Sequence, residues 1–322
     1  MQYSCINDKN SINIVRVNYW SAQMKKKKIL IMFIILQMLF VSSLYADAEI
    51  NVFACEPEWS SLAKEIGGNK VKTFSATHSN QDPHHIRARP SLISKIRRAD
   101  LLICSGAGLE VGWLPILLQK ASSKIQTDAI GHINASNFVK IIEIPTTIDR
   151  SLGDIHPEGN PHIHLNPHNI LLVANEVLKR LEIINPKNAE YYQNQYSTFK
   201  TKWQDAISRW ENDAIDLQGK PILVHHKSFS YLIDWLKLNQ IGSLEPVPGI
   251  PPTSKHLNEL LRLVEVNPVD IIIRTPYDPS KASEWLTEKT NIPNVILPYT
   301  TNEEDIDNLF KLFDRTIFIL KQ

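Results

Sequence analysis

A 30-residue stretch without glycine or proline, residues 188–217, constrains the fold of this chain more than any other feature. Apolar and aromatic side chains recur within it three or four residues apart, the spacing of one helix face. The stretch follows Pro186 and ends before Gly219, residue types that are typical of helix ends. The pattern predicts one continuous helix about 45 Å long at 1.5 Å per residue. We assign the stripe to core packing rather than to a ligand box. Its members are Tyr192, Tyr196, Phe199, Trp203, Ile207, Trp210 and Ala214.

Short apolar runs alternate with helical patterns on both sides of this predicted helix. Such alternation is typical of a parallel sheet covered by helices. The sequence therefore predicts an α/β fold with two Rossmann-like lobes joined by one long, rigid helix, with a cleft between the lobes. The predicted units are an N-terminal lobe at 47–187, a linking helix at 188–218 and a C-terminal lobe at 219–322. Predicted strands cover Ile50–Ala54, 71–74, 100–104, 222–224, 269–273 and 295–297. Predicted helices cover 59–66, 90–98, 114–120, 229–236, 257–264, 282–287 and 306–320.

The first 46 residues contain the pattern of a secretory signal. Four lysines at 25–28 precede an apolar run at 29–41, and small residues such as Ala46 and Ala48 follow. This order predicts a cleaved signal peptide over 24–46 and a periplasmic mature protein. Residues 1–23 are interpreted as an over-extended start. A transmembrane anchor is the alternative, but the run is shorter than the about 20 apolar residues that a bilayer requires.

The charge balance depends on this predicted cleavage. The full chain has 35 basic and 34 acidic residues, a net charge of +1. Without residues 1–46, about 29 basic and 33 acidic residues remain, a net charge of about −4. Phosphate-binding surfaces need an excess of lysine and arginine, so we expect no nucleic-acid partner.

Two cysteines remain in the predicted mature chain, Cys55 and Cys104. Both lie at the ends of predicted strands, and an oxidising compartment permits a disulfide if those strands are neighbours. Two cysteines are nevertheless no disulfide framework for a domain of this size. We therefore favour two free, buried thiols and keep the disulfide as the alternative.

Seven of the eleven histidines fall into three short clusters. Each cluster lies in a loop or at the end of a predicted strand, and ligands of open α/β sheets collect beyond the carboxyl ends of strands. Neutral imidazole is a common zinc ligand, so the clusters predict a metal site in the interlobe cleft. Ordinary surface or core histidines are the alternative. The clusters are His84 with His85, His162 with His164 and His168, and His225 with His226.

Three motifs surround these clusters: DPHHI at 82–86, GNPHIHLNP at 159–167 and HHKSFSY at 225–231. In this order they resemble the periplasmic solute-binding proteins of zinc and manganese ABC importers, of the zinc-uptake type known as cluster A-I. The resemblance covers about residues 49–320. It implies a metal-binding protein rather than an enzyme, with an inner-membrane ABC permease as partner, and we expect a monomer.

The resemblance also implies a set of ligands. Carried over position by position, it places His84, His162 and His226 on the metal. Their neighbours are then expected in supporting positions or as alternative ligands; these are His85, His164 and His225.

The fourth ligand departs from the family pattern. An acidic residue usually follows a late strand, but Thr275 stands at that place here. We take Asp278 as the candidate, with water or another group as alternatives. The ordinary interpretation of Asp278 is a turn residue before Pro279.

The predicted ligands favour Zn²⁺ as the transported cation over Mn²⁺. Zinc accepts nitrogen ligands readily, whereas manganese prefers oxygen-rich shells. In the resembled family a histidine at the position of His226 goes with zinc importers. Many zinc members also carry a long metal-capture loop before the second ligand, and we interpret 143–161 as a vestige of it. Its few histidine and acidic residues include Asp149, Asp154, His156 and Glu158.

Other functions remain as alternatives. A zinc hydrolase would need an open coordination position for water. A metal-dependent adhesin or other surface zinc binder, and a manganese- or iron-binding member of the family, would use similar ligands. We interpret the chain as a carrier, because ligands from two lobes form a cleft that can hold and release an ion.

Overall fold

The structure is a computed structural model that describes residues 49–146, 153, 156–302 and 305–322. The predicted signal region, Asp149 and Asp154 lie outside the described residues. Within them, none of the helices is both long and apolar enough to cross a membrane. The described strands are β1 (Ile50–Ala54), β2 (Val71–Ser75), β3 (Leu101–Cys104), β4 (His132–Asn134), β5 (Pro221–Val224), β6 (Asn239–Ser243), β7 (Ile271–Arg274) and β8 (Asn294–Ile296). The described α-helices are α1 (Pro57–Gly67), α2 (Pro90–Ile96), α3 (Leu114–Leu118), α4 (Pro167–Ile184), α5 (Ala189–Asp213), α6 (Ser230–Leu236), α7 (Ser254–Val266), α8 (Lys281–Thr290) and α9 (Leu309–Leu320).

The strands form two four-stranded sheets, and all their pairings are parallel. The strand orders are β2-β1-β3-β4 and β6-β5-β7-β8. Both sheets therefore reverse their order between the first and third strands in sequence. This is the switch point beyond which open α/β sheets bind ligands. The predicted α/β class with two parallel-sheet lobes is confirmed.

Three elements were missed by the sequence patterns. β4 and β6 are edge strands, and both contain polar residues, so neither gives the continuous apolar run of a central strand. α4 begins at Pro167, the last residue of the second histidine motif, where the Asn166 side chain accepts a hydrogen bond from the His168 N–H at 3.0 Å. His168 therefore lies on the first turn of a helix, and its ring pairs with Glu211 at 2.8 Å near the surface.

The long helix α5 is present but shorter than predicted. It spans 25 residues, about 37 Å at 1.5 Å per residue, and a separate 3₁₀ turn follows at Ile215–Leu217. Trp203 is fully buried, stacks on Phe199 with 5.3 Å between ring centroids, and donates its indole N–H to the Pro167 carbonyl at 2.8 Å. The assignment of the aromatic stripe to core packing is confirmed.

One hydrophobic core runs through both lobes. It joins Ile103 of the first sheet and Ile273 of the second with side chains of α1, α4, α5 and α9. Interiors packed in this way resist sliding, since displaced side chains lose contacts that nothing replaces. The shared core therefore restrains the lobes, as a single rigid helix between them was expected to do.

Cys55 and Cys104 form a disulfide, so the prediction of free thiols was wrong. β1 and β3 are adjacent strands, and the Cys55 N–H donates to the Ile103 carbonyl at 2.8 Å. This pairing brings the two Cα atoms to 4.8 Å. Local patterns could not reveal the adjacency, because β2 separates the two strands in the sequence.

A pair of buried carboxyl groups lies beside this disulfide. The Ser105 N–H contacts both, at 3.3 Å from Glu56 Oε2 and 2.7 Å from Glu110 Oε1. Burial raises the pKa of Glu56 well above its usual value, and the charge of Glu110 adds to this effect. Burial also raises the pKa of Glu110 to about 7, although backbone N–H groups favour its ionised form. The pair therefore retains protons at pH values where free carboxyl groups have lost theirs.

Candidate metal site

The first ligand candidate, His84, lies in a turn built by its own motif. Asp82 Oδ1 accepts a hydrogen bond from the His84 backbone N–H at 2.9 Å and lies 2.7 Å from ring Nδ1. The indole of the buried Trp113 donates to the Pro83 carbonyl at 2.8 Å. This bond holds the turn against the loop that follows β3. Since Nδ1 faces Asp82, Nε2 is the nitrogen available to a metal.

His162 lies in a turn of the same kind. Asn160 Oδ1 accepts a hydrogen bond from the His162 N–H at 3.0 Å, as aspartate and asparagine side chains commonly do in turns. The Asn160 amide also donates to the Lys227 carbonyl at 2.9 Å, which ties this turn to the third histidine motif. His162 Nδ1 lies 2.6 Å from the Tyr299 hydroxyl. Its Nε2 is buried and has no hydrogen-bond partner among the described residues.

His226 follows β5, at the carboxyl edge of the second sheet. Its Nδ1 lies 2.6 Å from Glu245 Oε2. Glu245 is itself held by the Gly249 N–H, which donates to the same oxygen at 2.9 Å. A carboxylate on Nδ1 is the usual support of a metal-binding histidine, and it leaves Nε2 for the metal.

The structure brings these three predicted histidines together. The ring centroids of His84 and His162 are 5.4 Å apart, and His226 lies 5.8 Å from each of them. The three rings come from loops that are distant in the sequence: His84 lies in the loop after β2, His162 in the segment between β4 and α4, and His226 after β5.

A fourth histidine, His156, lies in the same cluster. Its Nε2 is 3.1 Å from His84 Nε2, and the ligand nitrogens of His84, His156 and His162 all lie within 4.8 Å of one another. Ligand atoms of a tetrahedral zinc site with bonds of 2.0–2.1 Å are about 3.3 Å apart. The sequence pattern predicts His156 in a vestigial capture loop and not as a ligand. Its position depends on tertiary contacts, including a hydrogen bond to the backbone of Ala107.

The environment prepares these rings for a cation. Burial, together with the nearby charges of His84 and His226, lowers the pKa of His156 to about 3. Burial likewise holds the pKa of His162 well below its usual value. His226 differs: burial disfavours its charged form, but the hydrogen bond and charge of Glu245 outweigh burial and raise its pKa. His156 and His162 thus offer lone pairs at neutral pH, whereas an arriving cation competes with a proton at His226.

A cleft of about 490 Å³ opens beside His156, His162 and His226. This volume is many times the about 30 Å³ of one water molecule, so a hydrated cation can enter it. Its remaining lining combines a charged pair with apolar side chains and includes Glu143, Lys227, Ile144, Pro145, Val247 and Pro248.

Asp278, the predicted fourth ligand, takes part in the turn after β7. Its Oδ2 accepts a hydrogen bond from the Thr275 N–H at 2.8 Å, and its own N–H donates to Thr275 Oγ1 at 3.2 Å. Burial raises the pKa of Asp278, although the neighbouring His225 acts in the opposite direction. Within the described residues, the histidine group whose ligand atoms lie within 4.8 Å of one another consists of His84, His156 and His162, and it includes neither Asp278 nor His226. The role of Asp278 as a ligand stays a prediction.

The neighbouring histidines occupy different environments. The side chain of His85 is 69% exposed. His225 is buried, and its Nδ1 has no hydrogen-bond partner among the described residues. His164 is also buried, with Nε2 2.8 Å from the Tyr299 carbonyl and Nδ1 3.1 Å from Glu58 Oε1. Their expected supporting roles stay predictions.

A two-lobed α/β protein that gathers imidazoles in a cleft belongs to the class of solute-binding proteins for metal cations. The chain is a member of the family described as zinc-uptake complex component A, periplasmic, whose sequence profile matches residues 52–322. This family consists of solute-binding proteins for metal transport and not of enzymes.

Comparisons with known proteins agree with this membership. The chain is 25% identical over 257 residues to the metal ABC transporter substrate-binding lipoprotein ScbA of Streptococcus cristatus, covering 77% of this chain and 78% of that protein. It is 25% identical over 262 residues to the manganese ABC transporter substrate-binding lipoprotein PsaA of Streptococcus pneumoniae, covering 78% and 80%. A 27% identical match to SloC of Streptococcus mutans covers 58% of this chain and 60% of that protein.

Solved structures show the same fold. The crystal structure of ZnuA superposes with a TM-score of 0.71 at 19% identity, covering 85% of this chain and 98% of that one. The manganese-bound periplasmic metal-binding protein of Candidatus Liberibacter asiaticus superposes with a TM-score of 0.68 at 14% identity, covering 85% and 99%. The chain is a metal-binding, substrate-binding component of an ABC transporter.

Proposed function

We propose that this protein captures Zn²⁺ in its interlobe cleft and delivers it to an inner-membrane ABC permease. The observation that carries the proposal is the convergence of imidazoles from three separate segments, with ring centroids 5.4–5.8 Å apart among His84, His162 and His226. Nitrogen ligands suit zinc, whereas manganese prefers carboxylate and water oxygens.

In the proposed site the metal is bound through Nε2 atoms. Asp82, Tyr299 and Glu245 lie on the Nδ1 atoms of the three histidines, at 2.7, 2.6 and 2.6 Å respectively. Such partners fix the ring orientation and increase the basicity of the ligand nitrogen. His156 is the favoured fourth ligand because its Nε2 already lies 3.1 Å from that of His84. Asp278 and water are the alternatives.

Capture and release follow from these supports. Zn²⁺ enters the cleft and replaces protons on the imidazoles, chiefly on His226, because binding requires neutral rings. The bound ion then joins loops of both lobes, and docking on the permease favours its release. The periplasm is the proposed location; the predicted signal peptide and the family description support it.

Manganese is the second candidate, since relatives such as PsaA of Streptococcus pneumoniae are named for it. Calorimetric titration of metal-free protein with Zn²⁺ and with Mn²⁺ distinguishes the two. We expect one tightly bound Zn²⁺ per chain and weaker binding of Mn²⁺. Tighter binding of Mn²⁺ would favour the manganese alternative.

The site itself is tested with a double variant. His84→Ala combined with His226→Ala is expected to abolish tight zinc binding. His168→Ala is the matched control, because this histidine lies near the surface in an ion pair with Glu211. Unchanged zinc affinity in the double variant would reject the proposed site.

A further inference from the structure

A fully buried carboxylate connects the two lobes close to the candidate metal site. Glu58 lies in the first turn of α1, in the N-terminal lobe. Its Oε2 accepts a hydrogen bond from the Thr300 hydroxyl at 2.5 Å, and Thr300 belongs to the segment after β8 in the C-terminal lobe. Its Oε1 lies 3.1 Å from His164 Nδ1. Glu58 therefore holds a segment of the opposite lobe and an imidazole at once.

His164 is as completely buried as Glu58. Its Nε2 lies 2.8 Å from the Tyr299 carbonyl and must donate there, because a carbonyl oxygen only accepts. His164 Nδ1 and Glu58 Oε1 lie 3.1 Å apart, and neither atom has a hydrogen-bond partner among the described residues. Removing Glu58 would leave the buried Thr300 hydroxyl without its acceptor, and removing His164 would leave the Tyr299 carbonyl without its imidazole donor. Losing a buried partner costs far more than losing a surface contact.

Tyr299 connects this pair to the candidate metal site. Its ring packs edge-on against His164, with 4.8 Å between centroids, and its hydroxyl lies 2.6 Å from His162 Nδ1. A hydroxyl oxygen can accept a hydrogen bond from Nδ1–H, and that tautomer leaves the lone pair on Nε2. His162 Nε2 is buried and forms no hydrogen bond with any described residue.

We propose that Glu58 and His164 are positioning residues that lock the Tyr299–Thr300 segment onto the N-terminal lobe and so keep the Tyr299 hydroxyl on His162 Nδ1. The lock determines which nitrogen of His162 faces the cation, and it makes that choice depend on contact between the lobes. The inference rests on the proposed function in one respect, namely that His162 is a zinc ligand.

Zinc affinity provides the first test. Tyr299→Phe and Glu58→Gln are each expected to weaken zinc binding by about 10- to 100-fold, the usual effect of removing a partner of a metal-binding histidine. The conservative variant His164→Gln keeps a donor for the Tyr299 carbonyl and is expected to lose less affinity than His164→Leu. Glu176→Gln is the matched control, a buried glutamate that pairs with Arg180 on α4, and it should bind zinc normally.

A double-variant comparison separates positioning from general destabilisation. If Glu58 acts through Tyr299, adding Glu58→Gln to Tyr299→Phe should cost no further zinc affinity. Fully additive losses would overturn the proposal. If Glu58→Gln does not fold, Thr300→Val serves in its place, because it removes the hydrogen bond from the Thr300 hydroxyl to Glu58 and leaves the glutamate intact.

A metal-free measurement keeps this inference distinct from the proposed function. Nitrogen-15 NMR of the His162 ring should show the Nδ1–H tautomer in the parent protein and in Glu176→Gln, and a growing Nε2–H population in Glu58→Gln and Tyr299→Phe. An unchanged tautomer in both variants would overturn the inference. A changed tautomer in a protein that binds no zinc would support the positioning role and reject the proposed function instead.

Discussion

Replacement of His156 by alanine removes an imidazole whose Nε2 lies 3.1 Å from that of His84. Structural zinc sites with four ligands contribute about 10–16 kcal/mol, so one ligand in four corresponds to about 2.5–4 kcal/mol. At 1.4 kcal/mol per factor of ten, the dissociation constant should rise about 60- to 700-fold. Proton competition offsets none of this loss, since the pKa of His156 is lowered to about 3 and the ring is neutral at pH 7.

The assay is a competition titration at pH 7 in which a chromophoric chelator and the protein compete for Zn²⁺. Asp278→Asn is the matched comparison, because asparagine can still accept the hydrogen bond from the Thr275 N–H. We expect Asp278→Asn to change the zinc affinity less than about threefold, below 1 kcal/mol. Normal affinity in His156→Ala together with a 100-fold loss in Asp278→Asn would refute the reasoning and identify Asp278 as the fourth ligand.

Three further predictions concern stability. The pKa of Glu110 is about 7 in the folded protein and 4.5 in the unfolded chain. Between these two pH values the folded state binds more protons than the unfolded state. The free energy of unfolding therefore falls as the pH rises from 4.5 to 7. At 1.36 kcal/mol per pKa unit, Glu110 should account for a fall of about 3 kcal/mol in the free energy of unfolding, measured by urea unfolding at pH 4.5 and 7. If the free energy of unfolding of Glu110→Gln fell by as much as that of the parent protein, the prediction would be contradicted. The double variant Cys55→Ala/Cys104→Ala removes a disulfide between residues 49 positions apart and should lower the free energy of unfolding by about 2–4 kcal/mol. A reductant should destabilise the parent protein but not this variant. A variant that the reductant still destabilised would contradict the Cys55–Cys104 disulfide. Trp203→Ala should lower the free energy of unfolding, measured with denaturant, by about 3–5 kcal/mol. Gln204→Ala, on the exposed face of α5, should lower it little. Equal losses in the two variants would mean that the aromatic stripe does not belong to the core.

Local rules explain why two of the three predicted histidines could be read from the sequence. In both Asp-Pro-His and Asn-Pro-His the first side chain accepts the backbone N–H of the histidine, at 2.9 Å for His84 and 3.0 Å for His162. Such a turn is set by residues only two positions apart, so a short motif contains all of it. The convergence of the two turns, with 5.4 Å between the rings, is a tertiary feature that neither motif contains.

Features that depend on tertiary contacts could not be read in this way. His156 contacts His84, which lies 72 residues away in the sequence, and nothing adjacent to His156 indicates that contact. The disulfide depends on the pairing of β1 with β3, which is not its neighbour in the sequence. The long helix was predicted from its periodicity, but its end at Asp213 was missed, since no glycine or proline marks it.

A crystal structure of zinc-loaded protein, with anomalous data collected at the zinc edge, tests the central claim most directly. We expect one strong anomalous peak in the interlobe cleft, about 2.0–2.1 Å from the Nε2 atoms of His84, His162 and His226. A peak coordinated only by oxygen atoms, or one outside the histidine cluster, would contradict it.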